Sequence, residues 1–259
     1  ALMDLDLTGK TALVTGGSKG IGKAIAAALL AEGVLVTLVS RNVAQLKETQ
    51  TALGTDHITI LPADLGSDAG RLDMLNVIET PDILVNNAGA IRAGRLGEMS
   101  MDDMRGDWDL KVFGYIHLCQ QMLPRMAQRG TGTILNIIGM GGRANRAPYI
   151  SGSAANAALI AFTQALGAEA QSHGLRLFGI NPSPTLTDRM TMFMRHKAQD
   201  ELGDADRWRE VIEPSRFPFG RPAKPEEIGD LSCMLVSPKV SYLNGTVIDV
   251  DGGGQWSDP

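Results

Sequence analysis

The chain has 259 residues, 44% of them hydrophobic and 20% charged, with a formal net charge of -5 and two cysteines. That length buries one large core, so one domain spanning 1–259 is expected. The charges are interspersed without a basic run, which speaks against nucleic acid or a membrane surface as partner, and Cys119 and Cys233 stand far apart with no His cluster at metal spacing, so no metal site and no disulfide is expected and a cytoplasmic protein is indicated.

At the N-terminus Asp4 and Asp6 stand where a signal peptide needs a basic region and an apolar run, and Ala1-Leu2 before Met3 reads as an expression remnant. No segment approaches the roughly 20 apolar residues of a membrane span. The first β-branched run, 11–15, leads into Thr15-Gly16-Gly17-Ser18-Lys19-Gly20-Ile21-Gly22, which opens an Ala-rich helix over 20–32. In such a turn Gly16 permits the reversal, Gly20 lets backbone approach a pyrophosphate, Gly22 lets helix pack on strand, and the helix N-terminus faces the phosphates. A second strand, 34–39, ends in Val39-Ser40-Arg41, followed by a helix over 43–53.

Strands over 58–61 and 83–86 bracket a helix over 68–79, and they are followed by Asp64-Leu65 and by Asn86-Asn87-Ala88-Gly89. One long helix is expected over 101–128, a strand over 132–138, a second long helix over 151–172 and a strand over 175–181. Pro182-Ser183-Pro184-Thr185-Leu186-Thr187 follows, then a stretch rich in charge, Met and Pro over 187–219, expected to be a mobile lid over a substrate. A last strand covers 247–250. Strands alternating with helix-length segments mean right-handed βαβ units and a parallel sheet covered on both faces.

The glycine turn, Asp64-Leu65 and the Asn-Asn-Ala-Gly segment together resemble the short-chain dehydrogenase/reductase family, and the resemblance runs from about Leu7 to Gly254. It implies a single-domain, Rossmann-type, doubly wound seven-stranded parallel sheet. It also implies a dinucleotide with its adenine near Asp64 and Leu65 and its nicotinamide near Asn87, Ala88 and Gly89, assembly into a homodimer or homotetramer through the two long helices, and a small-molecule substrate. No carboxylate ends the second strand to repel a 2′-phosphate, while Lys19, Ser40 and Arg41 can receive one, so NADP(H) is the expected cofactor. Thr187, then Thr185, after Pro182 best match the family's nicotinamide-binding threonine. Ser183 stands where the family has Gly, which would strain a left-handed turn.

The same resemblance puts the catalytic chemistry in question. Its register places Gly152 where the family has Tyr, Asn156 where it has Lys, Gly139 where it has Ser and Lys111 where it has Asn. Decay to a non-catalytic NADP(H)-binding protein or sensor is one reading. The other is a rearranged site, since one ammonium and one amide remain with their places exchanged, Tyr149 is the nearest phenol, and glycine at 139 and 152 would make room for a bulky substrate. A redox-neutral reaction with the nucleotide as internal hydride store is a third. Tyr149 can equally be a packing residue at the helix start, Ser151 and Ser153 can cap that helix, and His117 and His173 read as structural. Arg92, Arg95, Arg143, Arg146 and Arg189 on the loops suggest an anionic substrate, or simply solvated loops.

Overall fold

A computed structural model describes residues 4–256; Ala1-Leu2 and Met3 lie outside the described residues. Seven strands form one sheet, β1 (Thr11–Thr15), β2 (Leu35–Ser40), β3 (Ile58–Pro62), β4 (Ile83–Asn86), β5 (Gly132–Ile137), β6 (Leu175–Pro182) and β7 (Val247–Val250). They lie in the order β3-β2-β1-β4-β5-β6-β7, and every pairing is parallel. Side chains alternate across a strand, so each strand feeds two cores. Ala12, Val14, Ile83, Val85, Leu135 and Ile137 join one core. Leu13, Leu84 and Ile134 join the other.

The first core is closed by α1 (Gly20–Ala31), α2 (Val43–Leu53) and α8 (Pro225–Val236) through Ile25, Leu29, Leu46 and Ile228. The second is closed by α3 (Asp68–Val77), α5 (Gly114–Arg129) and α6 (Ile150–Ala170) through Met74, Leu75, Leu118, Met122 and Ala170. The helix starts follow local chemistry: Asn42, Ser67 and Ser100 accept hydrogen bonds from the backbone N–H of Gln45, Gly70 and Asp103.

Two expectations need correction. The long helix over 101–128 is not continuous, because α4 (Met101–Trp108) gives way to a π-helical stretch, Asp109–Phe113, before α5 begins. Arg71, buried on α3, clamps this stretch: its Nη1 donates to Asp109 O at 3.1 Å and to Leu65 O at 2.6 Å, its Nε donates to His117 Nδ1 at 3.0 Å, and its Nη2 pairs with Asp68. His117 is therefore a structural acceptor. The stretch expected to act as a lid contains a 15-residue helix, α7 (Asp188–Leu202), capped by Thr187, followed by short 3₁₀ turns. Ser183 is not among the residues with positive φ, so its Cβ imposes no left-handed strain; its N–H donates to Val250 O at 3.0 Å.

Candidate active site

β1 and β4 are neighbours whose following connections run to opposite sides, and a crevice at the carboxyl ends of such strands is where α/β sheets bind ligands. Here the two loops are lashed together. Thr15 Oγ1 accepts from Asn87 N at 2.9 Å and from Ala88 N at 3.0 Å, while Asn87 Nδ2 donates to Thr15 O and Gly16 O. Gly16 and Gly20 both have positive φ. A Cβ on Gly22 would stand 2.3 Å from Gly16 O, so only glycine lets α1 sit this close to the turn. α2, α3, α4 and α7 each begin with a side-chain cap, whereas α1 has none and carries no acidic residue in its first turn. Its terminal N–H groups are left to meet an anion.

A cleft of about 530 Å³ opens above this turn, lined by Gly16, Ser18, Lys19, Gly20 and Ile21 on one side and by Asn87, Ala88 and Gly89 on the other. Ser40, Arg41 and Leu65 close its far end. Asn42, Gln45, Ala90 and Leu110 also line it and carry no motif that would have marked them. Other expected residues stand elsewhere. Asp64 does not line the cleft: its Oδ1 accepts from Gly66 N at 3.1 Å and lies 3.9 Å from Arg41 Nη1. Pro182 ends β6 in the interior, and Thr185 lines a second cleft, its hydroxyl donating to Ser183 O at 2.8 Å. Thr187 lines both clefts, with its Cγ2 3.3 Å from where a Cβ on Gly20 would be.

Five of the expected residues come together where β5 ends. The Lys111 side chain leaves the π-helical stretch, lies along Gly89, with Cδ 2.9 Å from where that glycine's Cβ would be, and donates from Nζ to Ile138 O at 2.6 Å. It reaches the chain beside Gly139 rather than Asn156. Burial first, and then the nearby Arg189 charge, lower its pKa from 10.5 to about 8. Gly139 has φ +140°, a conformation open to glycine and closed to serine, and Asn156 Nδ2 stands 3.3 Å from the point its Cβ would occupy. The Asn156 side chain is buried, and its Oδ1 has no hydrogen-bond partner.

The expectation that Gly152 opens space for a bulky substrate is wrong. A Cβ there would fall 2.0 Å from Tyr149 Cζ and 2.2 Å from Cε1, so the hydroxyl end of the Tyr149 ring already fills that volume. The phenol is raised above its ordinary pKa by burial, against which a hydrogen bond with the Asn156 side chain acts. Ser151 and Ser153 do not cap α6: Ser151 Oγ accepts from Trp108 Nε1 at 3.1 Å, and Ser153 Oγ from Arg146 N at 3.3 Å.

The second, larger cleft has a volume of about 1070 Å³. The loop arginines divide by whether a carboxylate already holds them. Arg92 is paired with Asp103 and Asp107, and Arg143 lies 3.2 Å from Asp249, which also accepts from Asn181 and Gln255. Arg146 and Arg189 line the second cleft, and neither has a carboxylate in salt-bridge contact among the described residues. Among the described residues no group of His, Cys, Asp and Glu could hold a metal, and no helix is long and apolar enough to cross a membrane.

Known proteins are similar to this chain along nearly its whole length. The 3-oxoacyl-(acyl-carrier-protein) reductase of Chlamydia pneumoniae is 30% identical over 258 residues, covering 97% of this chain and 99% of that protein. The D-threitol dehydrogenase of Mycolicibacterium smegmatis is 30% identical over 257 residues, covering 96% and 94%. Among solved structures, L-sorbose reductase from Gluconobacter frateurii, complexed with NADPH and L-sorbose, superposes with a TM-score of 0.92 at 27% identity, over 99% of this chain and 100% of that one. The profile described as short chain dehydrogenase matches residues 10–199, and with the seven-stranded parallel sheet and the glycine turn at its switch point, the chain belongs to the short-chain dehydrogenase family.

Proposed function

We propose that this protein is an NADP(H)-dependent oxidoreductase interconverting a carbonyl and a secondary alcohol, with Lys111, Tyr149 and Asn156 as its working side chains. One observation supports the reading: the Tyr149 ring lies where a Cβ on residue 152 would stand, so a phenol from three residues upstream borders the position that the resemblance gives to tyrosine. The residues around the first cleft fit the nucleotide. The turn from Gly16 to Gly22, with Ser18 and Ile21, would hold the pyrophosphate, Lys19, Ser40 and Arg41 the 2′-phosphate, and Leu65 the adenine. Asn87, Ala88, Gly89 and Thr187 would border the nicotinamide, with Pro182 and Thr185 behind them and Asp64 outside.

When bound, NADPH supplies the hydride. The chain must supply a proton to the developing alkoxide, and a donor works best with a pKa near the working pH. Lys111, at about 8, meets that condition, while Tyr149 lies above its ordinary value. Lys111 is therefore assigned as proton donor, held by Ile138 O. Tyr149 would orient the substrate oxygen, itself held by a hydrogen bond with the buried Asn156 side chain, which packs beside Gly139.

NADPH absorbance under single turnover, with a panel of aldehydes and ketones, tests this. Lys111→Met should slow the step by about 100- to 10,000-fold, and Tyr149→Phe should slow it less. A parent protein that binds NADPH tightly yet reduces nothing would return the reading to an NADP(H) sensor without catalysis. The two long helices carry half-exposed apolar residues, Phe113 before α5 and Ile150 on α6, which supports a homodimer or homotetramer, measurable by light scattering. Two buried unpaired thiols support a cytoplasmic setting.

A further inference from the structure

We infer that the second cleft selects carbonyl compounds bearing a carboxylate close to the reacting carbon and an apolar chain beyond it, with Arg189 as the group that reads the carboxylate. The inference rests on the oxidoreductase reading and names its substrate class. The ionic pairing around the cleft leads to it. Four arginines and two carboxylates line the cleft in a chain whose net charge is -5. Both carboxylates are already satisfied, Glu227 by Arg221 and Asp251 by the backbone N–H groups of Gly253 and Gln255. Arg216 is held by Glu213. Arg146 and Arg189 remain, and an unpaired guanidinium in a cleft is a geometric match to a carboxylate.

Arg189 stands at the junction of the two clefts, on the first turn of α7. Among the described residues it makes one hydrogen bond, a long one, Nη2 to Gly89 O at 3.4 Å, which a carboxylate would displace. Lys111 lies along the same Gly89 whose carbonyl Arg189 touches, so the guanidinium and the ammonium stand on one side of the nucleotide cleft, and the Arg189 charge acts to lower the pKa of both Lys111 and Tyr149. Asp188, beside it, lines the nucleotide cleft and not the second one. An anion at Arg189 would also favour the charged form of Lys111, keeping a proton on the donor when substrate is present. Past the arginine the wall turns apolar, with Met140, Met190, Phe193, Met194, Phe217 and Phe219. Phe219 is 85% exposed at positive φ and lies against Gly252, a conformation held at some cost in a surface aromatic.

The test compares 2-oxooctanoate and 3-oxooctanoate with their methyl esters and with L-sorbose. NADPH oxidation measures turnover, and calorimetry measures binding to the protein with and without NADP⁺. The acids should exceed the esters by at least about tenfold in kcat/KM and in affinity, the scale of one charge-assisted hydrogen bond. The 2-oxo or 3-oxo acid that gains more fixes the spacing. Arg189→Gln should bring the acid down to the level of its ester, with Arg146→Gln reducing the difference less, and both variants should melt like the parent. Acids that bind preferentially without being reduced would support the substrate class and overturn the oxidoreductase reading. Esters or L-sorbose handled as well as the acids would overturn the substrate class and leave that reading standing.

Discussion

Replacing Lys111 by Met should make the protein more stable and less active at the same time. The ammonium sits in the interior with a pKa lowered from 10.5 to about 8. At ~1.36 kcal/mol per unit this shift corresponds to roughly 3 kcal/mol by which the buried charge opposes folding at neutral pH. Met preserves the apolar stem against Gly89 but gives up the 2.6 Å hydrogen bond to Ile138 O. Leaving that carbonyl without its donor costs about 1–2 kcal/mol, so a net gain of about 1–2 kcal/mol remains. In a chain of this size that is a rise of roughly 2–8 °C in Tm.

The pH dependence carries the sign. Between pH 8 and 10.5 the unfolded lysine still holds a proton that the folded one has released, so the parent gains stability there as pH rises and the gap to Lys111→Met closes. Thermal melts of the two proteins at pH 7, 9 and 10.5 measure it. A variant less stable than the parent at pH 7, with a gap that does not change with pH, would refute the argument from desolvation.

Three further outcomes follow from the geometry. Arg41→Asp should reverse a preference for NADPH over NADH of about ten- to a hundredfold, since its guanidinium is 71% exposed beside the cleft and only loosely engaged by Asp64 at 3.9 Å; parallel titrations of both nucleotides decide it. Gly152→Ala should destabilise the fold by about 1–3 kcal/mol because the new methyl meets the Tyr149 ring, and in a Tyr149→Ala background the penalty should largely vanish in a double-mutant cycle by denaturant melts. Arg71→Met should cost about 2–4 kcal/mol by stripping partners from Leu65 O, Asp109 O and His117, and hydrogen exchange should show Asp109–Phe113 opening first.

The strands were legible because each carries a short apolar run that feeds both cores, and β1, β4 and β7 begin and end where the sequence puts them. The Thr187-Asp188 start and Gly203 stop of α7, and Pro225 with Glu227 at the start of α8, are signals for two helices inside stretches otherwise dominated by charge and Pro. The π-helical stretch was not legible: its one extra residue leaves no breaker in the sequence, and the Arg71 bonds that clamp it come from 38 residues away. The same is true of the site. The Arg143 and Asp249 pair joins residues 106 apart, and nothing in Pro148-Tyr149-Ile150 states that the ring folds forward over Gly152. Backbone geometry at Gly139 is likewise settled by the turn after β5, whose N–H is held by Asn181 Oδ1 at 3.2 Å.

Tyr149 and residue 152 compete for one volume, and this limits the order in which the chain can change. A tyrosine at 152 meets an obstacle as long as Tyr149 stays where it is, and removing Tyr149 first leaves a hollow with no phenol in it. Neither single step improves on the present state, so the route between the two arrangements passes through a trough. Gly139 adds a second lock, because a serine there needs the strand end to turn before its hydroxyl can be used. Selection acting one substitution at a time would hold this protein on its own side of the divide.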